Sequence, residues 1–229
     1  MKKLIFFSLV LMSIAALLCS CGYKDETYYQ YEVNDDGTLT IISISETYSK
    51  TLKIPQTING QTVTRIGKFA FYNNDYIRKI VLPDSVTTIE ECAFADSNKL
   101  KTVVLGAGCK EIGLQAFEGC DALKTVDMSK SALVAIGDLA FHKCMVLKSF
   151  DPPATLETIG IGAFDNCEQL IVVTDKSEVA ANFATEHNFP TDFSDTDNFL
   201  ITKIIVYTAL ILGALLTVSY LMKKRKNKS

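Results

Sequence analysis

Cysteine and histidine are the residues of this chain best suited to bind a metal or act in catalysis. The chain has two histidines, His142 and His187, and neither lies near a second histidine or a Cys-x-x-Cys pair that could complete a zinc site. No serine occurs in a Gly-x-Ser-x-Gly turn or a phosphate-binding loop. A catalytic cysteine needs a neighbouring base, and the sequence places none. We therefore expect no enzymatic activity, no metal and no cofactor.

Five cysteines follow residue 21, and an odd number in an exported protein leaves at least one thiol unpaired. They are Cys92, Cys109, Cys120, Cys144 and Cys167. The last three are separated by 24 and 23 residues, which predicts small apolar side chains at equivalent positions of a repeated core. We expect buried free thiols. Disulfides between stacked neighbours are the alternative, although their geometry is restrictive.

The same interval governs the motif Ile-x-x-x-Ala-Phe, which occurs five times with spacings of 23, 23, 24 and 23 residues. Its isoleucines are Ile66, Ile89, Ile112, Ile136 and Ile159, and its phenylalanines are Phe71, Phe94, Phe117, Phe141 and Phe164. A period in the twenties with apolar residues in phase is typical of a leucine-rich-repeat solenoid. Stacked repeats are therefore predicted to bury the phenylalanines in one structural column.

The predicted fold class is an α/β-type solenoid with repeats of about 23 residues, each containing one strand and a short helical turn. Alternating apolar residues predict the strand, and the Ala-Phe segment predicts the helical turn. Two strands around Asp35-Asp36-Gly37 predict an N-terminal hairpin cap. A Thr51–Val63 segment with an Asn59-Gly60 turn forms a longer first repeat, and residues 177–188 predict an amphipathic C-terminal cap helix.

The repeat unit resembles the BspA-like, or treponemal-type, leucine-rich repeats of cell-surface proteins. The resemblance covers about residues 28–190, and Leu82-Pro83-Asp84-Ser85-Val86-Thr87-Thr88-Ile89 matches the family loop. Cys120, Cys144 and Cys167 occupy the family's cysteine position, where earlier repeats have Asn74 and Ser97. The chain departs from the pattern at Gly106–Cys109, which lacks the usual proline, and at a one-residue insertion between Met128 and Ile136. We expect both to bulge the coil locally without changing its register.

Both ends of the chain carry segments typical of membrane attachment. Met1–Ser20 resembles a lipoprotein-type signal peptide, and Leu18-Cys19-Ser20-Cys21 resembles a lipobox, which makes Cys21 the predicted lipid-attachment residue. An ordinary signal peptide is the alternative. The uncharged run Ile204–Met222 predicts a transmembrane helix. The basic residues after it predict a cytoplasmic tail and a single-pass plasma-membrane protein with its ectodomain outside.

The predicted organisation has eight segments. They are the signal peptide (1–20), a tether (21–27), the N-terminal cap and first repeat (28–63), the repeats (64–174), the C-terminal cap (175–190), a juxtamembrane linker (191–203), the transmembrane helix (204–222) and the basic tail (223–229). The formal charge is −3, but the signal and tail contain seven of the 23 basic residues and no acidic ones, so the intervening part is more acidic. Such a domain is a poor match for nucleic acid or heparin-like polyanions.

The outward positions of the predicted strands are the candidate binding face, because solenoids commonly bind through such sheets. They form two columns: Lys79, Thr102, Thr125, Ser149 and Val172, and Val81, Val104, Asp127, Asp151 and Thr174. We expect a membrane-anchored extracellular binding or adhesion module. The family resemblance implies a protein ligand on host or neighbouring cells. The alternatives are the ectodomain of a receptor or sensor that signals through a membrane partner, and a structural envelope protein without an external ligand.

Overall fold

The computed structural model describes residues 29–45 and 49–191, which wind into a β-solenoid. Its strands are β1 (Tyr29–Val33), β2 (Leu39–Ile44), β3 (Thr51–Lys53), β4 (Thr57–Ile58), β5 (Gln61–Ile66), β6 (Lys79–Val81), β7 (Thr88–Ile89), β8 (Thr102–Val104), β9 (Glu111–Ile112), β10 (Thr125–Asp127), β11 (Ala135–Ile136), β12 (Ser149–Phe150), β13 (Thr158–Ile159) and β14 (Ile171–Val172). In the described part of the chain, the α-helix α1 (Glu178–Glu186) follows them.

Each coil contributes strands to two sheets, so the prediction of one strand per repeat was wrong. The first sheet has the order β1-β2-β5-β7-β9-β11-β13, and along this order its strands run parallel from β2 onward. The short β4 pairs antiparallel with β5. The second sheet has the parallel order β3-β6-β8-β10, and β12 pairs with β14 beyond it. Strands of two or three residues persist because each is hydrogen-bonded to the equivalent residues of neighbouring coils.

The third side of the solenoid consists of consecutive β-turns, and the prediction of a short helical turn there was wrong. The N–H of Ala116 donates to the carbonyl of Gly113 within one turn, whereas the N–H of Phe117 donates to Ala140 in the next coil. Gln115 has a φ of +54° between them, which suits the third residue of a type II turn and not a helix. Bonds between coils therefore replace the bonds along the chain that a helix would make.

The core consists of columns of identical or similar side chains, as the period predicted. Successive rings of the five motif phenylalanines are stacked with centroids 5.0–5.2 Å apart and planes within 10° of parallel. All five rings are buried. Aliphatic columns such as Ile80, Val103 and Val126 fill the space between the sheets. The predicted structural role of the phenylalanines is confirmed.

The two irregular loops leave this register intact. Gly106 is buried, and a Cβ at this position would lie 2.1 Å from the carbonyl oxygen of Pro83. Glycine therefore lets two loops approach more closely than any other residue would. After the insertion, Leu133 is buried and Ile136 pairs with Ile112.

Both ends of the described solenoid carry the predicted caps. The β1–β2 hairpin is antiparallel, and β2 continues parallel to β5 at the start of the stack. At the other end, Ser177 caps α1 by accepting the N–H of Ala180, and Phe183 packs 5.6 Å from Phe164. Within residues 29–45 and 49–191, no helix is long and apolar enough to span a membrane. The predicted span 204–222 and the predicted lipid site Cys21 lie outside the described residues.

Candidate functional site

The second sheet presents the central part of the candidate face in the predicted register. Lys79, Thr102 and Thr125 lie side by side on β6, β8 and β10. The second column of Val81, Val104 and Asp127 is aligned in the same way. The side chains between them, such as Val103, point into the core. The face is thus a narrow strip with hydroxyl, aliphatic and charged positions.

The candidate face is interrupted at its C-terminal end. Among the described residues, β10 and β12 belong to different sheets. Asp127 instead accepts the N–H and the hydroxyl of Ser129 at 3.2 and 2.7 Å, and these hydrogen bonds lower the pKa of its carboxyl. Beyond the interruption, Ser149 is exposed, and the half-buried Asp151 forms an ion pair with Lys176 at 2.9 Å.

The prediction that Val172 faces outward was wrong. Ser149 pairs with Ile171, and Phe150 pairs with Val172, so Val172 is buried and Ile171 is 41% exposed. The reason is that β14 begins directly after the buried Leu170, whereas one residue separates Leu147 from β12. Thr174, the last predicted member of the second column, lies beyond β14 and is half-buried.

The cysteine column holds buried thiols. Cys120, Cys144 and Cys167 donate their S–H to the carbonyls of Phe94, Phe117 and Phe141 at 3.2, 3.2 and 3.1 Å. Ser97 makes the same contact to Phe71 at 2.7 Å. Burial raises the pKa of Cys109, Cys120 and Cys167 to about 12. All five cysteines of the described ranges are free, as predicted, and their protonated thiols suit packing better than nucleophilic chemistry.

Each histidine makes a local structural contact. Nδ1 of His142 lies 3.0 Å from Glu118 Oε1, and its Nε2 lies 3.1 Å from Asn166 Nδ2, so the ring bridges three successive coils. Nδ1 of His187 lies 3.0 Å from the carbonyl of Phe183 at the end of α1. In the part of the chain that the structure describes, no three His, Cys, Asp or Glu side chains are grouped as metal ligands.

A row of cations borders the second sheet, and the sequence interpretation did not identify it. We call it the basic column; its members are Lys50, Arg78, Lys101, Lys124 and Lys148, all of them exposed. Each occupies the position directly before a strand of the second sheet or of the β12–β14 pair. The signal was present in the sequence, because the last three follow Leu100, Leu123 and Leu147 at the repeat interval. The negative net charge of the chain does not reveal this local row of cations.

A groove of about 320 Å³ lies at the C-terminal end, between the last coil and α1. Its lining includes Ile161, which is 84% exposed, together with Val179, Phe183 and His187. No charged group is buried in it, and its walls are mainly apolar, so the geometry indicates incomplete coverage of the last coil by α1.

The repeats match the family model of the BspA type leucine-rich repeat region in six copies over residues 41–180. This match covers more than half of the chain, and the chain belongs to this family. The matched range begins at residue 41 and so includes the first coil, which the five-fold Ala-Phe motif does not cover. No curated protein gives a significant match to the sequence.

Solved structures with a similar fold come from several bacteria. A leucine-rich-repeat protein of Treponema pallidum is 30% identical, with a TM-score of 0.57 over 64% of this chain and 68% of that protein. A leucine-rich cell-surface protein of Faecalibacterium prausnitzii is 29% identical, with a TM-score of 0.56 over 66% of this chain and 43% of that protein. A Bacteroides ovatus leucine-rich-repeat protein is 29% identical, with a TM-score of 0.55, and the coverage is 67% of this chain and 40% of that protein. The chain therefore corresponds to less than half of the last two proteins.

Proposed function

We propose that this chain is a membrane-anchored extracellular protein-binding module that serves in adhesion, and that it binds its ligand through the outward face of the second sheet. The observation that carries the proposal is the alignment of β6, β8 and β10, which places Thr102, Thr125 and their neighbours in continuous outward columns. Membership of a leucine-rich-repeat family suggests a protein-binding repeat module, not an enzyme. The cell-surface description of the Faecalibacterium relative supports an extracellular setting.

The face has the chemistry of a modest protein-binding surface. Hydroxyls of Thr102 and Thr125 can donate and accept hydrogen bonds, and the half-buried Val81 and Val104 supply apolar contact. A strip this narrow lacks the aromatic anchors that dominate the tightest protein interfaces. We therefore expect an affinity that gains from several copies displayed on one membrane.

Crosslinking on intact cells that display the full chain tests the binding face. The double variant Thr102→Arg/Thr125→Arg adds two long cations to the centre of the face and should abolish capture of the partner protein. The matched control, Thr88→Arg/Thr158→Arg, makes the same change at half-buried and exposed threonines of the first sheet and should leave capture intact. Equal loss in both variants, or in neither, would contradict the proposed face.

Two anchors are part of the proposal, since a lipid on Cys21 and a helix over residues 204–222 can each retain a protein at a bilayer. Cys21→Ala and truncation after Asn198 should each leave the protein in the membrane fraction, and the double variant should be released. Release by truncation alone would show that Cys21 carries no effective lipid anchor. A tag placed after Ser229 should resist protease added to intact protoplasts, because the tail is expected inside.

A further inference from the structure

The basic column is a continuous ladder and not a chance grouping of surface lysines. The N–H of Arg78 donates to the carbonyl of Lys50 at 2.8 Å, and that of Lys101 donates to Arg78 at 2.7 Å. The same bond joins Lys124 to Lys101 at 2.9 Å and Lys148 to Lys124 at 3.2 Å. One cation per coil is therefore fixed on a line that runs along the solenoid axis.

No carboxylate forms an ion pair with this line among the residues that the structure describes. The ion pairs of residues 29–45 and 49–191 involve Arg65, Lys68, Lys143 and Lys176 as cations, and none involves a member of the basic column. Hydrogen-bonded neighbouring strands lie about 4.8 Å apart, so the column presents five cations over about 19 Å. Like charges at this spacing repel each other, and their freedom from ion pairs leaves them available to an anionic ligand.

The neighbouring column supplies hydrogen-bonding groups suited to sugars. In four of the five coils, the residue after the basic one carries a hydroxyl: Thr51, Thr102, Thr125 and Ser149. The exception is Lys79, which adds a sixth cation next to Arg78. Anionic groups can thus contact the cations while ring hydroxyls contact the threonines.

We propose that the basic column binds a linear anionic polysaccharide, which lies along the solenoid axis with its sulfate or carboxylate groups over the cations. A single glycan chain is narrow enough to follow one column, and its charges can repeat at intervals close to the coil spacing. This activity is additional to protein capture by the adjacent face, and Thr102 and Thr125 border both sites.

An extended acidic peptide fits the site less well. The backbone groups beside the column are already engaged in bonds between coils, so a peptide could not add as a strand. The column also has no aromatic ring among its members on which nucleic-acid bases could stack. The polysaccharide is therefore the polyanion that the geometry favours.

The acidic character of the domain limits this site without abolishing it. Charges more than about 8 Å apart are largely screened at physiological ionic strength, so a ligand on the column responds mainly to the cations beneath it. A wider polyanion such as duplex DNA would also approach exposed carboxylates of the outward face, such as that of Asp127. The sequence-based expectation that the domain is a poor match for heparin-like polyanions considered only the summed charge, whereas the proposed site depends on the charge at one repeat position.

The test uses the full 229-residue chain in a neutral detergent and size-fractionated heparin as the probe. Binding should weaken steeply with salt. Lys101→Glu/Lys124→Glu should reduce the affinity roughly tenfold or more and lower the slope of log affinity against log salt by about one to two. The matched control, Lys110→Glu/Lys130→Glu, makes the same charge change at exposed lysines outside the column and should retain most of the affinity.

Three results would overturn the proposal. They are absence of heparin binding at low salt, an equal loss in the column and control variants, and tighter binding of a single-stranded oligonucleotide or a poly-glutamate peptide than of heparin. Oligosaccharides shorter than the column should bind more weakly than those that span it. The Val81→Asn/Val104→Asn variant changes the second outward column, which is not assigned to the polysaccharide, and should retain heparin binding while it weakens protein capture, so the two proposals can fail separately.

Discussion

On the turn side of the solenoid, one residue type recurs in five successive coils, whereas the outward columns of the second sheet change from coil to coil. Phe71, Phe94 and Phe117 stack face to face, while the outward positions run from Lys79 through Thr102 to Ser149 and Ile171. An inner side chain packs against its own equivalent one coil away, so a change in one ring leaves a mismatch with two others. An outward side chain meets mainly solvent and is free to vary.

The basic column differs from both of these regions. It faces outward, yet its charge is the same in five successive coils. Packing cannot be the reason, because its members are exposed, and repulsion between neighbours acts against it. Core packing therefore explains the uniform phenylalanine column, whereas ligand binding better explains the uniform charge of the basic column. The predictions below test this distinction.

The largest effect is expected in the inner column. Phe117→Ala should lower the free energy of unfolding by roughly 3–5 kcal/mol, because it removes a fully buried ring stacked on both sides. The control is Phe69→Ala, since Phe69 is 48% exposed and lies outside the stack. In urea unfolding of the purified variants, the loss of unfolding free energy should be several times larger for Phe117→Ala than for Phe69→Ala. Similar losses would show that the stack adds nothing beyond ordinary apolar contact.

The period of the sequence predicted the inner columns but not the path of the chain between them. Spacing alone places the phenylalanines in one line, and their burial follows. The turns between them depend on φ angles of +59° at Phe69 and +54° at Leu139. Those residue types do not signal a left-handed conformation. Hydrogen bonds to the next coil stabilise this left-handed conformation. The pattern within a single repeat does not indicate these bonds.

The register of the outward columns agrees with the prediction only where the interval stayed constant. A shorter connection between Leu170 and β14 moved Val172 inside, and counting from the preceding phenylalanine could not detect that change. The basic column could have been found from the sequence, because Lys101, Lys124 and Lys148 share one repeat position. It was missed because charge was summed over the domain before it was assigned to positions.

The loop between the second and first sheets gives an intermediate effect. Gly106→Ala should cost roughly 1–3 kcal/mol, because the added methyl group would lie 2.1 Å from the Pro83 carbonyl oxygen and the loops would have to separate. Ala107→Gly, a one-methyl change at the adjacent exposed residue, should change stability much less. Thermal unfolding of both variants measures the difference. If Gly106→Ala leaves thermal stability unchanged, adjacent coils tolerate a wider spacing than the hydrogen bonds between them imply.

The buried thiols should make stability depend on alkaline pH. The pKa of Cys120 is about 12 in the folded chain and 9.0 as the reference, so its contribution is complete below pH 9 and is lost as pH rises from 9 towards 12. The loss approaches about 1.4 kcal/mol per pH unit for each such thiol. Serine should fit in place of Cys120, because Ser97 makes the same contact one coil earlier. Cys120→Ser should therefore keep the fold and reduce the slope of unfolding free energy against pH by the contribution of one thiol. Identical slopes for variant and parent would show that Cys120 ionises normally in the folded chain.

The smallest effect on stability is expected in the basic column, where Lys101→Glu replaces one of five like charges. Two charges about 4.8 Å apart in water interact by roughly 0.9 kcal/mol, and exposed, mobile charges realise only a fraction of this, so relief of repulsion with Arg78 and Lys124 should leave the free energy of unfolding unchanged or raised by a few tenths of a kcal/mol. Screening should remove this gain at high salt. Lys110→Glu provides the comparison at an exposed lysine of the same coil. Urea unfolding at low and high salt measures both variants. Should Lys101→Glu instead destabilise the chain by more than about 1 kcal/mol, the column would be structural, like the phenylalanines, and its constancy would no longer argue for a ligand. If stability is unchanged while heparin affinity falls, the five cations have a binding role and not a structural one.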